Sequence, residues 1–203
     1  MGHAIPTYFD GIEYRSRLEA RWAALFTELG WEHIYEPFDG DGYIPDFVIQ
    51  GDDPLLVEVK PALQALDYQA HPAKIVRGVR DVWKHDIFIV GMSPFPVPPG
   101  DSLRDLRGSG FTAAGLLGQS FADEAEWGRL AVEERWAFDD ACWVTCFGCG
   151  AISVNHASQS YRCRPCGCCY TGNDCFGPPD LDILHEAWAD ACNAVKWRGR
   201  PLQ

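Results

Sequence analysis

The chain predicts an α/β fold: a mixed central sheet flanked by helices, then a small cysteine-built module and a terminal helix. Three observations predict it. Apolar residues switch period, from helical over residues 14–29 to strand-like over three short runs ending at Lys60. A proline-dense stretch, Ser93-Pro94-Phe95-Pro96-Val97-Pro98-Pro99-Gly100, then blocks helix and central strand alike. Beyond it stand two Cys-x-x-Cys-Gly knuckles at a separation that suits one tetrahedral metal.

In residues 14–29, Leu18, Trp22, Leu25, Phe26 and Leu29 recur at helical spacing, and Gly30 is a natural stop. Trp31 to Glu36 reads as a strand closed by Pro37, and Asp39-Gly40-Asp41-Gly42 as a turn. Tyr43 to Ile49 is a second strand and Leu55 to Lys60 a third, joined by Gly51-Asp52-Asp53-Pro54. In the third, Leu56, Glu58 and Lys60 share one face, while Leu55, Val57 and Val59 share the other. Pro72 opens a helix expected to run to about His85. Asp86 to Met92 is a fourth strand, and a crossover through a helix implies that it runs parallel to the third. Glycines at 108, 110, 115 and 118 argue for loops over residues 101–121, and an acidic helix is expected over 122–137. Pro178-Pro179-Asp180 introduces a final helix to about Trp197, with Ile183, Leu184, Ala187, Trp188, Ala191 and Val195 on its apolar stripe. The expected divisions are 1–97 for the core, 98–140 for a linker and acidic helix, 141–177 for the cysteine module and 178–203 for the terminal helix.

The chain has 203 residues, 47% of them hydrophobic, enough for one buried core and a small appendage. It has no apolar run of about 18 residues, so no membrane-spanning helix is expected. The N-terminal residues lack the pattern of a signal peptide, so a cytoplasmic setting is expected, and the cysteines read as thiols or metal ligands. A net charge of −12 argues against a simple nucleic-acid binder, whose footprint is usually basic. It leaves a metal-dependent enzyme open, because bound cations offset acidity. The acidic excess gathers at Asp123-Glu124-Ala125-Glu126 and Glu133-Glu134, outside the candidate site, where a solvated face suffices.

Asp46 follows Ile44-Pro45 and precedes Phe47-Val48-Ile49. An unpaired carboxylate buried there would cost several kcal/mol or take up a proton. A metal resolves that cost. Glu58 can approach Asp46 across the hairpin, with Lys60 one pleat along. Mg2+ or Mn2+ takes hard oxygen ligands, and Asp46, Glu58 and the Val59 carbonyl are the candidates. Lys60 would position or help deprotonate a water and balance charge at an attacked phosphate. Glu19, beside the buried stripe of the first helix, would support the metal shell or hold a second ion.

The segments Tyr14-Arg15-Ser16-Arg17-Leu18-Glu19-Ala20-Arg21-Trp22, Ile44-Pro45-Asp46-Phe47 and Val57-Glu58-Val59-Lys60 together resemble the PD-(D/E)XK nuclease superfamily. The resemblance covers about the first 95 residues, with the helix glutamate, the Pro-Asp pair and the Glu-x-Lys triplet in the family's order. It implies a restriction-endonuclease-like core and metal-dependent phosphodiester hydrolysis, in DNA first and RNA second. Glu19, Asp46, Glu58 and Lys60 would be the catalytic residues. A phage or mobile-element setting in a prokaryotic cell suits such a compact nuclease. Gln64-x-x-x-Tyr68 matches a motif of RecB-like members but lies very close to Lys60. Arg15 and Arg17 beside the first helix, and Lys74 and Arg77 on the second, are candidate phosphate contacts; a charged helix surface is the plainer reading of each.

Cys146, Cys149, Cys163 and Cys166 form the two knuckles, thirteen residues apart, and fit a structural Zn2+ in a zinc ribbon. Gly150 and Gly167 would take left-handed conformations that turn backbone N–H groups toward sulfur. The hairpin between the knuckles would use Ile152, Val154 and Tyr161, and Tyr161, Arg162 and Arg164 are candidate contacts to nucleic acid or a protein partner. Cys168, Cys169 and Cys175 could join a second metal with His156 or Cys142, and Cys192 reads as a small buried residue. Two alternatives stay open: a non-catalytic binding module on a nuclease scaffold, and an iron–sulfur RecB-like exonuclease, although no cysteine precedes residue 142. One such core per chain also raises a homodimer for double-strand cutting.

Overall fold

Asp10 and Gly11 both have positive φ, 45° and 81°. This two-residue turn matches the twist of an antiparallel pair. It joins β1 (Thr7–Phe9) to β2 (Ile12–Tyr14), a hairpin separate from the main sheet. A computed structural model of the chain describes residues 4–40, 42–95, 112–120, 130–132, 136–156, 163–167 and 175–196.

Helix α1 spans Arg17–Glu28. Ser16 caps it, accepting from the Glu19 N–H at 3.1 Å, while its hydroxyl donates to Glu19 Oε1 at 2.8 Å. Trp22, Leu25 and Phe26 are its buried stripe, and Gly30 ends it at φ 69°. β3 (His33–Tyr35), β4 (Phe47–Ile49) and β5 (Leu55–Val59) form the expected antiparallel meander, with Tyr35 opposite Phe47 and Phe47 opposite Val57. A short turn of helix, α2 (Ala65–Tyr68), and α3 (Pro72–Val79) lead to β6 (Ile87–Val90). β6 lies parallel to β5, with Glu58 opposite Ile89, as the crossover predicts. α3 stops well short of His85.

The sheet then continues past the proline stretch, where a domain boundary was expected. β7 (Thr112–Ser120) pairs with β6, and β9 (Trp136–Cys146) pairs with β7. β8 (Leu130–Val132), β10 (Ile152–His156) and β11 (Phe176–Gly177) all pair with β9. The main order is β10-β9-β7-β6-β5-β4-β3. Of the glycines that suggested loops, Gly115 and Gly118 mark close approaches within a strand, and Gly108 and Gly110 lie outside the described residues. Gly115 sits at a bulge with φ 152° against the Ile89 carbonyl, and a Cβ at Gly118 would lie 2.5 Å from the Phe138 ring. The acidic helix expected over 122–137 is corrected where described: residues 130–132 and 136–137 are strand. Asp123, Glu124, Glu126, Glu133 and Glu134 lie outside the described residues.

Both sheet faces are covered. α1 and the terminal helix α4 (Leu181–Ala194) pack on one, where Trp22, Phe26, Phe47, Val57, Phe88, Trp143 and Leu184 form the core. α3 covers the other, over Val48, Leu56, Ile75, Val76, Ile87, Ile89 and Phe138. The alternation of β5 decides the rest. Leu55, Val57 and Val59 enter the first core and Leu56 the second, so Glu58 shares the α3 face with Leu56. Among the described residues no helix is long and apolar enough to cross a membrane.

Candidate active site and metal centre

Asp46 ends the loop into β4, and Glu58 lies near the end of β5. The antiparallel register Phe47↔Val57 brings the two segments side by side. Asp46 is 5% exposed and Glu58 1%. Asp46 Oδ2 accepts from the Val59 N–H at 2.7 Å, so it is the Val59 N–H that faces this carboxylate. Lys60 Nζ lies 2.5 Å from Glu58 Oε2 and 3.5 Å from Asp46 Oδ2. Asp46, Glu58 and Lys60 therefore meet in one place. Glu58 Oε1 is buried with no hydrogen-bond partner of normal geometry, although the Tyr43 hydroxyl stands close enough to influence its ionisation.

Glu19 reaches this group indirectly. Its Oε1 accepts from Ser16 and its Oε2 from the Tyr35 hydroxyl at 2.7 Å. Arg15 bridges the remaining gap: its Nη2 is 2.7 Å from Asp46 Oδ1, and its Nε is 2.9 Å from Glu36 and 3.8 Å from Glu19. Glu19 thus holds the Ser16 cap through its side chain and braces Arg15. Arg15 fills a different place from the peripheral contact expected of it. Lys74 and Arg77 are exposed on α3 and Arg17 is half-buried, none of them with an ion pair to the acidic cluster. Tyr35, Glu36 and Tyr43 went unmarked in the sequence. Tyr43 stands three residues before Asp46, and Tyr35 and Glu36 end a strand next to the Pro-Asp loop, which is the signal that could have drawn attention to them.

Four carboxylates, Glu19, Glu36, Asp46 and Glu58, face two cations, Arg15 and Lys60. The excess negative charge shows in Glu58, whose carboxyl burial and the Asp46 charge push up to about 7, against the opposing pull of Lys60. Burial works against the Lys60 ammonium, but Asp46 and Glu58 more than offset it and hold Lys60 above its ordinary value. The two carboxylates thus favour the ammonium form of Lys60. A buried carboxylate oxygen without a partner, on a net-negative cluster of oxygen donors, is chemically suited to a hard divalent cation. The donor atoms are not yet gathered for one: Asp46, Glu58 and Glu19 do not bring three carboxylate oxygens within 4.8 Å of one another.

The cysteine site is gathered. Among the described residues, the Sγ atoms of Cys146, Cys149, Cys163 and Cys166 all lie within 4.8 Å of one another. Cys146 and Cys166 are 4.0 Å apart, and Cys149 and Cys163 3.6 Å. Zinc–sulfur bonds of about 2.3 Å in a tetrahedron set sulfurs roughly 3.8 Å apart. This set can bind a metal such as zinc. The first knuckle is the turn between β9 and β10, and the second packs beside it. Gly150 and Gly167 have φ 74° and 62°, and their N–H groups bond the carbonyls of Cys146 and Cys163 at 2.8 Å. The Ala151 N–H points at Cys149 Sγ, 3.5 Å away.

Arg164 overturns its expected role as a surface contact. Its side chain is 1% exposed and pairs with Asp53 at 3.0 Å and with Asp86. Its own N–H donates to Ser153 at 2.9 Å. The second knuckle is thereby tied to the β4–β5 turn and to the entry of β6. The hairpin expected between the knuckles is in part β10 paired with β9. Tyr161, Arg162, Cys168 and Cys169 lie outside the described residues. Cys142 is buried outside the group of four sulfurs, and burial pushes its thiol up to about 12.

No family model, curated protein or solved structure matches this chain.

Proposed function

We propose that the cluster of Asp46, Glu58 and Lys60 is the active site of a metal-dependent phosphodiesterase, a nuclease of restriction-endonuclease-like design acting on DNA. The observation that carries this reading is Glu58 Oε1: a buried, unpartnered carboxylate oxygen beside Asp46, with an ammonium 2.5 Å from its sister oxygen. Asp46 and Glu58 would hold Mg2+ or Mn2+, whose chemistry is to polarise a phosphoryl oxygen and acidify a water. The Val59 N–H fixes the orientation of the Asp46 carboxylate. Lys60, charged and only half-buried, orients the attacking water and stabilises negative charge on the phosphate in flight. Glu19 acts through Arg15 rather than on the reaction.

The order of helix, three-stranded meander, crossover and parallel strand supports the family reading, as do the ordered motif residues. The cysteine site has the features of a structural zinc centre, since four thiolates leave no open position. A second reading, a scaffold that binds without cutting, is favoured by Arg15 and Lys60 already pairing with the carboxylates. Incubating the purified chain with linear, nicked, branched and single-stranded DNA, with Mg2+ or Mn2+ and with a chelator, separates them. Metal-dependent cutting that Asp46→Ala and Lys60→Ala abolish supports the nuclease. Intact substrates throughout give the place to the scaffold.

A further inference from the structure

Arg15 stands where a cation would. Of the two Asp46 oxygens, Oδ2 is committed to the Val59 N–H and faces Lys60, and Oδ1 is covered by Arg15 Nη2 at 2.7 Å. An ion shared by Asp46 and the open Oε1 of Glu58 has to take Oδ1. A guanidinium and a divalent ion compete for that oxygen, because both are positive and repel each other at such close range.

Arg15 is also built to leave. Its backbone is pinned, its N–H donating to the Tyr35 hydroxyl at 3.0 Å just before the helix cap at Ser16. Its side chain is 50% exposed, so the guanidinium can swing without disturbing the core. Its planar fork matches phosphate oxygens as well as carboxylate ones. We infer that Arg15 is an exchangeable internal cation: it holds Asp46 Oδ1 until a divalent ion takes that oxygen, and the released guanidinium then clasps the substrate phosphate. This rests on the phosphodiesterase reading and adds to it an order of events, metal first and phosphate second.

The test is calorimetric titration with Mn2+ alone on the intact chain with its cysteine site preloaded with zinc. Arg15→Gln is expected to bind Mn2+ about tenfold tighter than the wild type, the worth of one charge-assisted hydrogen bond. Arg15→Lys, which keeps the charge and loses the fork, gains less. Arg21→Gln removes the same charge six residues further along, from a half-buried arginine on α1 with no ion pair to the acidic cluster, and stays within about twofold. In a second arm, a fluorescent DNA duplex is titrated in Ca2+ and in chelator. Ca2+ strengthens duplex binding by the wild type, and Arg15→Gln loses most of that gain. Thermal melts report whether each variant is folded, and Arg15→Lys carries the test if Arg15→Gln is not. Equal or weaker Mn2+ binding by both Arg15 variants overturns the exchange, as does an equal gain in Arg21→Gln or full metal-dependent duplex binding by Arg15→Gln. Asp46→Asn separates the two levels. If it abolishes Mn2+ binding while the Arg15 variants change nothing, only the exchange is wrong. If it leaves Mn2+ binding intact, the metal reading itself is wrong.

Discussion

Arg164 in the second cysteine knuckle forms a buried ion pair with Asp86 at the entry to β6, seventy-eight residues earlier in the chain. Asp53, in the turn before β5, closes the other side of the guanidinium at 3.0 Å. The knuckle is thus bolted to the two strands, β5 and β6, that carry and support Glu58.

Replacing Arg164 leaves two carboxylates facing each other in a mostly dry setting. Arg164→Met is expected to cost about 3 kcal/mol of folding stability, the usual penalty for breaking a buried pair from one side. Urea denaturation at neutral pH measures it. A loss below about 0.5 kcal/mol would assign the pair no structural weight.

The cysteine site is expected to hold one zinc ion per chain by elemental analysis. β9 runs from the central sheet directly into Cys146, so metal loss should not melt a separate module. Chelation, or Cys163→Ser, is expected to lower the single thermal transition of the whole fold. A calorimetric trace that splits into two independent transitions contradicts this.

Glu58 gives stability a pH dependence. Its ordinary value is 4.5 and the fold pushes it up to about 7. The folded state therefore holds an extra proton between those values, and without divalent metal its stability falls as pH rises through that window. Glu58→Gln removes this slope and is expected to be more stable than the wild type above neutral pH, by on the order of 2 kcal/mol. Parallel stability curves for the two proteins from acid to neutral pH would rule it out.

How much of this was legible follows from particular residues. The alternation of Leu55 to Lys60 fixed its own faces, because one side had to be apolar. The hairpin at Asp10-Gly11 was legible and passed over: this dipeptide between Thr7–Phe9 and Ile12–Tyr14 is a standard two-residue turn signal. β7 was hidden, since Gly115 and Gly118 look like loop residues until Ile89 and Phe138 are seen pressing on them. β9 was hidden as well, because Asp139 and Asp140 interrupt its apolar pattern. At the site, Asp46, Glu58 and Lys60 were readable from their order. The bridging of Arg15 and the burial of Arg164 depend on contacts across thirty-one and seventy-eight residues, which local pattern does not encode.

Lys60 is expected to matter to the reaction more than to the metal. Lys60→Met should lower the cleavage rate at least about a hundredfold, while Mn2+ binding by Asp46 and Glu58 persists or strengthens. Single-turnover kinetics beside Mn2+ titration checks it. Loss of metal binding with loss of activity would make Lys60 a structural counter-ion only.

The most direct test of the whole account is anomalous X-ray scattering from crystals of the zinc-loaded protein soaked in Mn2+. The account predicts a manganese peak between Asp46 Oδ1 and Glu58 Oε1, separate from zinc at the four cysteines. Manganese density elsewhere only, with Arg15 still on Asp46 and Glu58 without an ion, would contradict it.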